Sequence, residues 1–156
     1  MDITTNQLTE QDVPKLQKLN ELFGAVFEDA DNYQSRLPRP EYLADFLAQG
    51  QNIVLVAERD GQIVGSLVAY CLTKFEQERK EVYLYDLAVS TDYQRHGIGK
   101  MLINELRAVA KSLGAYIVFV QADEGDDAVA FYESLGPVEN LKTRNFDFEC
   151  EFQASL

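Results

Sequence analysis

Histidine, cysteine and tryptophan are scarce in this sequence, with one His, two Cys and no Trp among 156 residues. A Ser-His-Asp or Cys-His hydrolase would therefore have to depend on His96 alone. Cys71 and Cys150 stand in separate apolar, strand-like stretches, with no CxxC pair and no histidine spaced for a metal. We expect two buried, reduced thiols in a cytoplasmic protein, and neither a metal site nor a hydrolase.

Positive charge and long apolar runs are also scarce. The 14 Lys and Arg are outnumbered by 26 Asp and Glu, which gives a formal net charge of −12. Phosphate contacts need concentrated Lys and Arg, and this argues against nucleic acid as the main partner. No apolar run approaches the roughly 20 residues needed to span a bilayer. The first residues lack the basic start and apolar core of a signal peptide. We expect one globular, cytoplasmic domain over residues 1–156.

The charge that is present is distributed unevenly. Residues 1–78 and 121–156 each carry a net charge of −7, whereas residues 79–120 carry +2. An acidic surface favours encounter with cationic partners. A chance partition of surface charge explains the same pattern, so motifs have to decide between the two interpretations.

Hydrophobic periodicity and turn residues predict a mixed α/β fold. The order is a strand, two helices, three strands, a helix, a strand, a helix and a last strand. This order indicates a mixed sheet with helices on both faces and a strand–helix–strand unit between residues 81 and 122. The predicted elements are a strand at 3–8, a helix over 13–26 capped by Thr9 or Asp12, a loop at 29–40, a helix burying Tyr42, Leu43, Phe46 and Leu47, strands at 53–59 and 62–73 joined by Asp60-Gly61, a strand at 81–89, a helix from Ile98 to Gly114, a strand at 115–122, a helix at 126–135 and a strand at 145–152.

The start of the helix at Ile98 has the local architecture of an anion site. Gly97 and Gly99 remove side chains where a ligand would approach the backbone, and the first N–H groups of a helix have no intrahelical acceptor. Arg95 and Lys100 flank this point. The run is neither GxGxxG nor GxxxxGK[ST], which disfavours a dinucleotide site or a P-loop. An ordinary helix entry with glycines for close packing is the alternative.

Two motifs resemble the GNAT superfamily of N-acetyltransferases. The fragment Gln94-Arg-His-Gly-Ile-Gly99 matches its (Q/R)-x-x-G-x-(G/A) signature, after the strand LYDLAV. The segment Ala128–Gly136, AVAFYESLG, resembles its second motif, A-x-x-(L/F)-Y-x-x-x-G. The resemblance implies the GNAT fold, an α/β domain with a mixed, mostly antiparallel central sheet and helices on both faces.

Three longer segments are similar to type I aminoglycoside 3-N-acetyltransferases, the gentamicin-modifying subgroup. They are KFEQERKEVYLYDLAVS, GAYIVFVQADEGDDAVAFYESLG and LFGAVFEDADNY. This resemblance implies acetyl transfer to the 3-amino group of an aminoglycoside in a ternary complex, antibiotic resistance as the outcome, and a homodimer. Another cationic amine as substrate (a polyamine, a small metabolite or a protein amine) and a non-catalytic acyl-CoA sensor are the alternatives.

The resemblance also implies acetyl-CoA as cosubstrate and no metal. The pantetheine arm would lie along Leu87, Ala88 and Val89, exchanging backbone hydrogen bonds as a strand does. The pyrophosphate would lie at the helix start. The residues expected to hold it are Gln94, Arg95, His96, Gly97, Ile98, Gly99 and Lys100.

Catalysis on an amine needs a base, because only the neutral amine attacks a thioester. Asp86 is the only charged residue in an otherwise apolar stretch, and burial would raise its pKa towards a useful range. Glu81 is the weaker candidate. Tyr132 matches the family position whose phenol protonates the leaving CoA thiolate. A structural carboxylate at Asp86 and a core aromatic at Tyr132 are the alternatives.

A polycationic substrate also needs anionic groups that hold it. Asp123, Glu124, Asp126 and Asp127 follow the strand at 115–122, so we expect them to bind the substrate. Solvated loop charge or a divalent-ion site are the alternatives. Asp29, Asp31 and Tyr33 are expected to close over the same cleft. Those substrate-binding candidates complete the predicted site.

Overall fold

Five strands form one sheet in the computed structural model, which describes residues 1–150. Neighbours pair antiparallel from the first strand to the fourth, while the fourth and fifth pair parallel. The predicted mixed, mostly antiparallel sheet is therefore confirmed. In order across the sheet the strands are β1 (Thr4–Gln7), β2 (Asn52–Arg59), β3 (Gln62–Thr73), β4 (Lys80–Val89) and β5 (Ala115–Val120).

Helices cover the sheet on both faces, as predicted. On one face, Leu19 and Phe23 pack against Val54 and Val56 of β2. On the other, a Cβ on Gly65 of β3 would come within 3.0 Å of the Ile98 side chain, so the glycine permits this close approach. The helices are α1 (Val13–Val26), α2 (Ala30–Gln34), α3 (Pro40–Ala48), α4 (Ile98–Ser112) and α5 (Asp127–Ser134).

The hairpin and the helix cap follow the local chemistry of the sequence. Asp60 and Gly61 both have positive φ, 51° and 77°, which two-residue turns between antiparallel strands require. Asp12 is the N-cap residue of α1 but makes no side-chain capping bond, whereas Thr9 caps the 3-10 turn Glu10–Asp12 that precedes this helix. The Thr9 side chain accepts from the Gln11 N–H, while the Asp12 carboxylate accepts from the Thr9 N–H at 2.8 Å.

Two predictions in the first half of the chain are wrong. The expected loop at 29–40 contains α2, which begins because the Asp29 carboxylate accepts from the Asn32 N–H at 3.2 Å. Tyr42 is 61% exposed although it was expected in the buried face of α3. A helix this short buries one narrow stripe, here Leu43 and Leu47 four residues apart.

Two predictions near the end of the chain are also wrong. A strand was predicted at 145–152, but residues 145–150 are not in a strand. Residues 151 and 152 lie outside the described range. Phe146 and Phe148 are exposed. Alternation of apolar and polar residues yields a strand only where a neighbouring strand satisfies the backbone. Cys71 is buried as expected, but Cys150 is exposed.

Contacts divide the chain into two compact units, Met1–Gln121 and the residues from Ala122 onward. The first unit contains the whole sheet and α1 to α4, and the second contains α5. The single domain over residues 1–156 stays a prediction. Within residues 1–150, no helix combines the length and the apolarity that a membrane span requires.

Candidate active site

A β-bulge in β4 determines which side chains meet near the middle of the sheet. Asp86 is paired with Val68, and Leu84 with Ala69, so Tyr85 is an extra residue in β4. Tyr83 is paired with Tyr70. Directly paired residues share a face of the sheet, so the bulge brings Asp86 onto the face that carries the two tyrosines.

Asp86 lies in a cleft of about 200 Å³ on this face. The Tyr33 hydroxyl donates a hydrogen bond to its Oδ1 at 3.0 Å. Burial raises the pKa of the Asp86 carboxyl, and the bond from Tyr33 lowers it, with burial the larger effect. A carboxylate that binds a proton more tightly than an exposed one is suited to act as a base. The cleft is lined by Leu16, Leu19, Asn20, Phe23, Tyr33, Tyr42, Leu43, Phe46, Val68, Tyr70 and Asp86.

Beyond the bulge, one edge of β4 is open. The parallel pairing with β5 ends at Leu84 and Val120, so in residues 1–150 no strand pairs with the rest of β4 on this side. On the other side, the Ser90 N–H donates to the Val64 carbonyl at 2.9 Å. Because antiparallel ladders alternate, the N–H groups of Leu87 and Val89 point to the open side.

The loop after β4 turns sharply into α4. Gly97, the N-cap, has φ of +80°, and Arg95 also adopts the left-handed conformation at φ +62°. A non-glycine residue in that region costs about 1–2 kcal/mol. The Gln94 side chain donates to the Val89 carbonyl at 3.0 Å and fixes the loop to the end of β4. His96 Nδ1 lies 2.8 Å from the Gln94 carbonyl oxygen.

The open edge and the helix start together provide backbone donors of two kinds. The N–H groups of Leu87 and Val89 can pair with an extended amide chain, as another strand would. The first N–H groups of α4 can bind an anion, and Arg95 and Lys100 are exposed beside them. These groups match the amide arm and the pyrophosphate of coenzyme A.

Residues 16–136 match the sequence profile of the acetyltransferase (GNAT) family. The chain belongs to the GNAT family. The match includes both sequence motifs as well as the bulged strand and the loop into α4. The predicted superfamily and fold are thus confirmed.

Three relatives show how far the similarity extends. An aminoglycoside acetyltransferase from an uncultured soil metagenomic sample is 38% identical, with a TM-score of 0.89 over 96% of this chain and 100% of that one. A second such enzyme, solved in complex with sisomicin, is 37% identical, with a TM-score of 0.89 over 96% of this chain and 97% of that one. Glucosamine 6-phosphate N-acetyltransferase of Trypanosoma brucei brucei is 35% identical over 49% of this chain and 51% of its own length. The chain thus spans about half the length of that curated relative.

Glu81, the second base candidate, lies at the start of β4 in a cluster of charged groups. It accepts a hydrogen bond from the Tyr116 hydroxyl at 2.8 Å, and Lys74 Nζ lies 3.7 Å away. Its side chain is 18% exposed. Glu81 and Asp86 are five residues apart on one strand, roughly 15 Å. The structure gives Glu81 a role in holding the β3–β4 hairpin, and its catalytic role stays a prediction.

Tyr132 and the acidic segment, residues 123–127, belong to the second unit. Tyr132 lies on α5, partly buried, with its ring 5.2 Å from that of Phe131. Asp126 is the N-cap of α5 and accepts from the Ala128 N–H at 3.0 Å. Glu124 is paired with Lys142 at 2.7 Å. Asp123 and Asp127 are exposed, and no side-chain partner is found for either within residues 1–150.

The three candidates between α1 and α3 differ in position. Tyr33 contacts Asp86 and is the member of this group that the structure brings to the base candidate. Asp29 caps α2, and Asp31 is exposed. Sequence reasoning missed Tyr70 and Tyr85, whose rings are in contact, with Tyr85 also against Tyr83. Tyr70 lies on β3 and Tyr85 on β4, and the apolar pattern of β4 carries no signal of the bulge that orients Tyr85.

Proposed function

We propose that this protein transfers the acetyl group of acetyl-CoA to the 3-amino group of a gentamicin-type aminoglycoside, directly within a ternary complex. The observation that carries the proposal is the half-buried Asp86, in an aromatic cleft next to the open edge of β4. The similarity of nearly the whole chain to two aminoglycoside acetyltransferases supports this substrate class.

Acetyl-CoA would be held mainly by backbone groups. Leu87, Ala88 and Val89 would pair with the pantetheine arm, and the residues from Gln94 to Lys100 would surround the pyrophosphate. When bound, this cosubstrate supplies the acetyl thioester. The Leu87 N–H points to the open side of β4, where it can donate a hydrogen bond to the thioester carbonyl. Loss of one such donor typically costs about 3 kcal/mol of transition-state stabilisation.

The reacting amine must lose a proton before it attacks. Asp86 accepts this proton, directly or through a water molecule. Tyr33 keeps one carboxylate oxygen engaged and leaves the other oxygen for the amine. Tyr132 is proposed to protonate the leaving thiolate, a proton transfer that a phenol can make as a general acid. Glu81 remains the second choice for the base.

The rest of the substrate is held by charge and by the segment between α1 and α3, which contains α2. We assign the retention of further ammonium groups to the acidic segment that follows β5, and the closure of the cleft to the residues of α2. Antibiotic resistance, a cytoplasmic location and a homodimer go with this proposal. The substrate-binding residues proposed are Asp123, Glu124, Asp126, Asp127, Asp29, Asp31 and Tyr33.

Other amines are the second candidate. No lysine, arginine or histidine lines the Asp86 cleft within the described residues. A phosphorylated amino sugar would need a cation there, so the cleft favours an unphosphorylated, cationic amine such as a polyamine or a protein amine. A non-catalytic acyl-CoA sensor would have no chemical need for Asp86 and Tyr132.

Thiol release from acetyl-CoA tests the proposal with a panel of gentamicin, kanamycin, spermidine and lysine peptides. We expect turnover with gentamicin, and NMR of the product should show the acetyl group on the 3-amino nitrogen. Turnover restricted to spermidine or peptides would overturn the aminoglycoside assignment. Absence of turnover with every amine would favour the sensor.

A further inference from the structure

A row of aromatic rings crosses the sheet beside the carboxylate of the cleft. The ring centroids of Phe46 and Tyr70 are 6.2 Å apart, those of Tyr70 and Tyr85 5.9 Å, and those of Tyr85 and Tyr83 5.4 Å. Tyr83 and Phe119 are stacked at 4.8 Å. The row runs from α3 across β3 and β4 to β5, so each ring is held by a neighbour.

Tyr85 is the exposed ring in the centre of this row. It is 61% exposed and comes directly after Leu84, where the pairing of β4 with β5 ends. It is also the extra residue of the bulge, and bulges commonly re-aim a side chain beside a functional site. The edge contacts to Tyr70 and Tyr83 fix its orientation, at interplanar angles of 82° and 64°. A ring held in this way can bind a ligand with little loss of rotamer entropy.

The electrostatics of the row favour a cation. Burial, and then the charge of Asp86, raise the pKa of Tyr70 above its ordinary value. The same negative charge contributes to the raised pKa of Tyr83, after burial and Tyr85. Within residues 1–150, the arginines stacked on rings lie over Tyr93, Tyr116 and Phe146, so none occupies this row.

We propose that Tyr85 is a specificity-determining residue that receives a second ammonium-bearing group of the substrate while Asp86 engages the reacting amine. The inference rests on the proposed function for the identity of the substrate, and it requires a polycation rather than a monoamine. An ammonium group over an aromatic face within about 6 Å gains free energy from the ring quadrupole, even at an exposed site.

The test compares Tyr85→Leu, which removes the ring, with Tyr85→Phe, which keeps it. Calorimetric titrations with sisomicin, spermidine and the monoamine cyclohexylamine are carried out in the presence of coenzyme A. For Tyr85→Leu we expect the Kd of the two polycations to rise about fivefold, the size of an exposed cation–π contact. The Kd of the monoamine, the affinity for coenzyme A and the thermal midpoint should be unchanged. Tyr85→Phe should stay within about twofold of the original protein.

A second measurement does not depend on the leucine variant. With ¹³C-labelled tyrosine, the ring signal that disappears in Tyr85→Phe identifies Tyr85, and we expect it to shift during the spermidine or sisomicin titration. Equal polycation affinity in Tyr85→Leu, or an unmoved Tyr85 signal at saturation, would overturn the inference. If sisomicin does not bind the original protein, the aminoglycoside assignment is wrong, and the spermidine arm still decides the role of Tyr85.

Discussion

Asp86 and the carboxylates that follow β5 differ in their exposure to water, and we expect this difference to separate a residue that takes part in the reaction from residues that attract the substrate. Asp86 is half-buried among aromatic and apolar side chains, and its pKa is raised by that burial. Asp123, Glu124, Asp126 and Asp127 are exposed. A carboxylate that is partly withdrawn from water gains proton affinity. Exposed carboxylates attract cations at longer range, and salt screens this attraction.

Among the variants that distinguish Asp86 from the exposed carboxylates, Asp86→Asn is expected to have the largest effect on catalysis. The variant keeps the shape of the side chain but cannot accept a proton. We expect kcat to fall by about 10²-fold or more, the usual contribution of a positioned base. The acetyl-CoA KM should be nearly unchanged, because the open edge of β4 is intact. Steady-state thiol release measures both values.

Glu81→Gln is the matched control for this variant. Glu81 is on the same strand, but it is engaged by Lys74 and Tyr116. A fall in kcat larger than that of Asp86→Asn would reverse the assignment of the base. A loss of less than about threefold in Asp86→Asn would remove Asp86 from proton transfer altogether.

The exposed carboxylates should act on binding instead. Asp123→Asn with Asp127→Asn leaves the cap of α5 and the Glu124–Lys142 pair in place. We expect the aminoglycoside KM to rise about tenfold at low salt and much less at 0.5 M salt, because exposed charges are screened. The acetyl-CoA KM should not change.

The control for the Asp123→Asn, Asp127→Asn double variant changes the net charge by the same amount, but on two helices outside the acidic segment. Glu21→Gln with Glu105→Gln removes two exposed carboxylates from α1 and α4. An equal rise in KM in both double variants would mean that overall charge, and not the acidic segment, attracts the substrate. A large fall in kcat in the aspartate pair would mean that the segment takes part in the chemistry.

The pH dependence of the reaction provides a smaller effect. The Tyr33 hydroxyl stabilises the ionised form of Asp86, so its removal in Tyr33→Phe should raise the carboxyl pKa further. We expect the acidic limb of the kcat/KM profile to move to higher pH, with little change in kcat/KM at pH values above the limb. The titration of the substrate amine is common to both proteins and cancels in the comparison.

Tyr42→Phe is the matched control for the pH profile. Tyr42 lines the same cleft, but its hydroxyl is not bonded to Asp86. If both phenylalanine variants shift the limb equally, the effect is general desolvation of the cleft and not the hydrogen bond. A limb that stays in place in Tyr33→Phe would contradict the role of Asp86 as the titrating base.

In both the fold and the site, features set by local sequence could be predicted, whereas features set by contacts between distant segments could not. Continuous apolar stretches and the Asp60-Gly61 turn predicted β2 to β5, and the glycines predicted the entry into α4. Asp86 stood out as a charge in an apolar strand. The bulge at Tyr85 left no sequence signal because it results from pairing with β3, and the contact between Tyr33 and Asp86 joins residues 53 positions apart. The alternating pattern at 145–152 did predict a strand, but the described residues of that segment lack the pairing that makes one.

The smallest expected effect is on stability, and it has the opposite sign to the effect on catalysis. A carboxyl whose pKa is raised on folding is favoured in its protonated form, so its charge opposes folding at pH values above that pKa. Asp86→Asn should therefore raise the thermal midpoint at pH 7.5, by about 2–4 °C. The gain should shrink as the pH falls through the raised pKa, because Asp86 then becomes neutral in the folded protein. Differential scanning calorimetry from pH 4 to 8 measures the trend, with the exposed Asp123→Asn as control. A midpoint that is lower in Asp86→Asn at every pH would mean that the ionised carboxylate and its bond to Tyr33 stabilise the fold, and that the cleft does not hold Asp86 at an energetic cost.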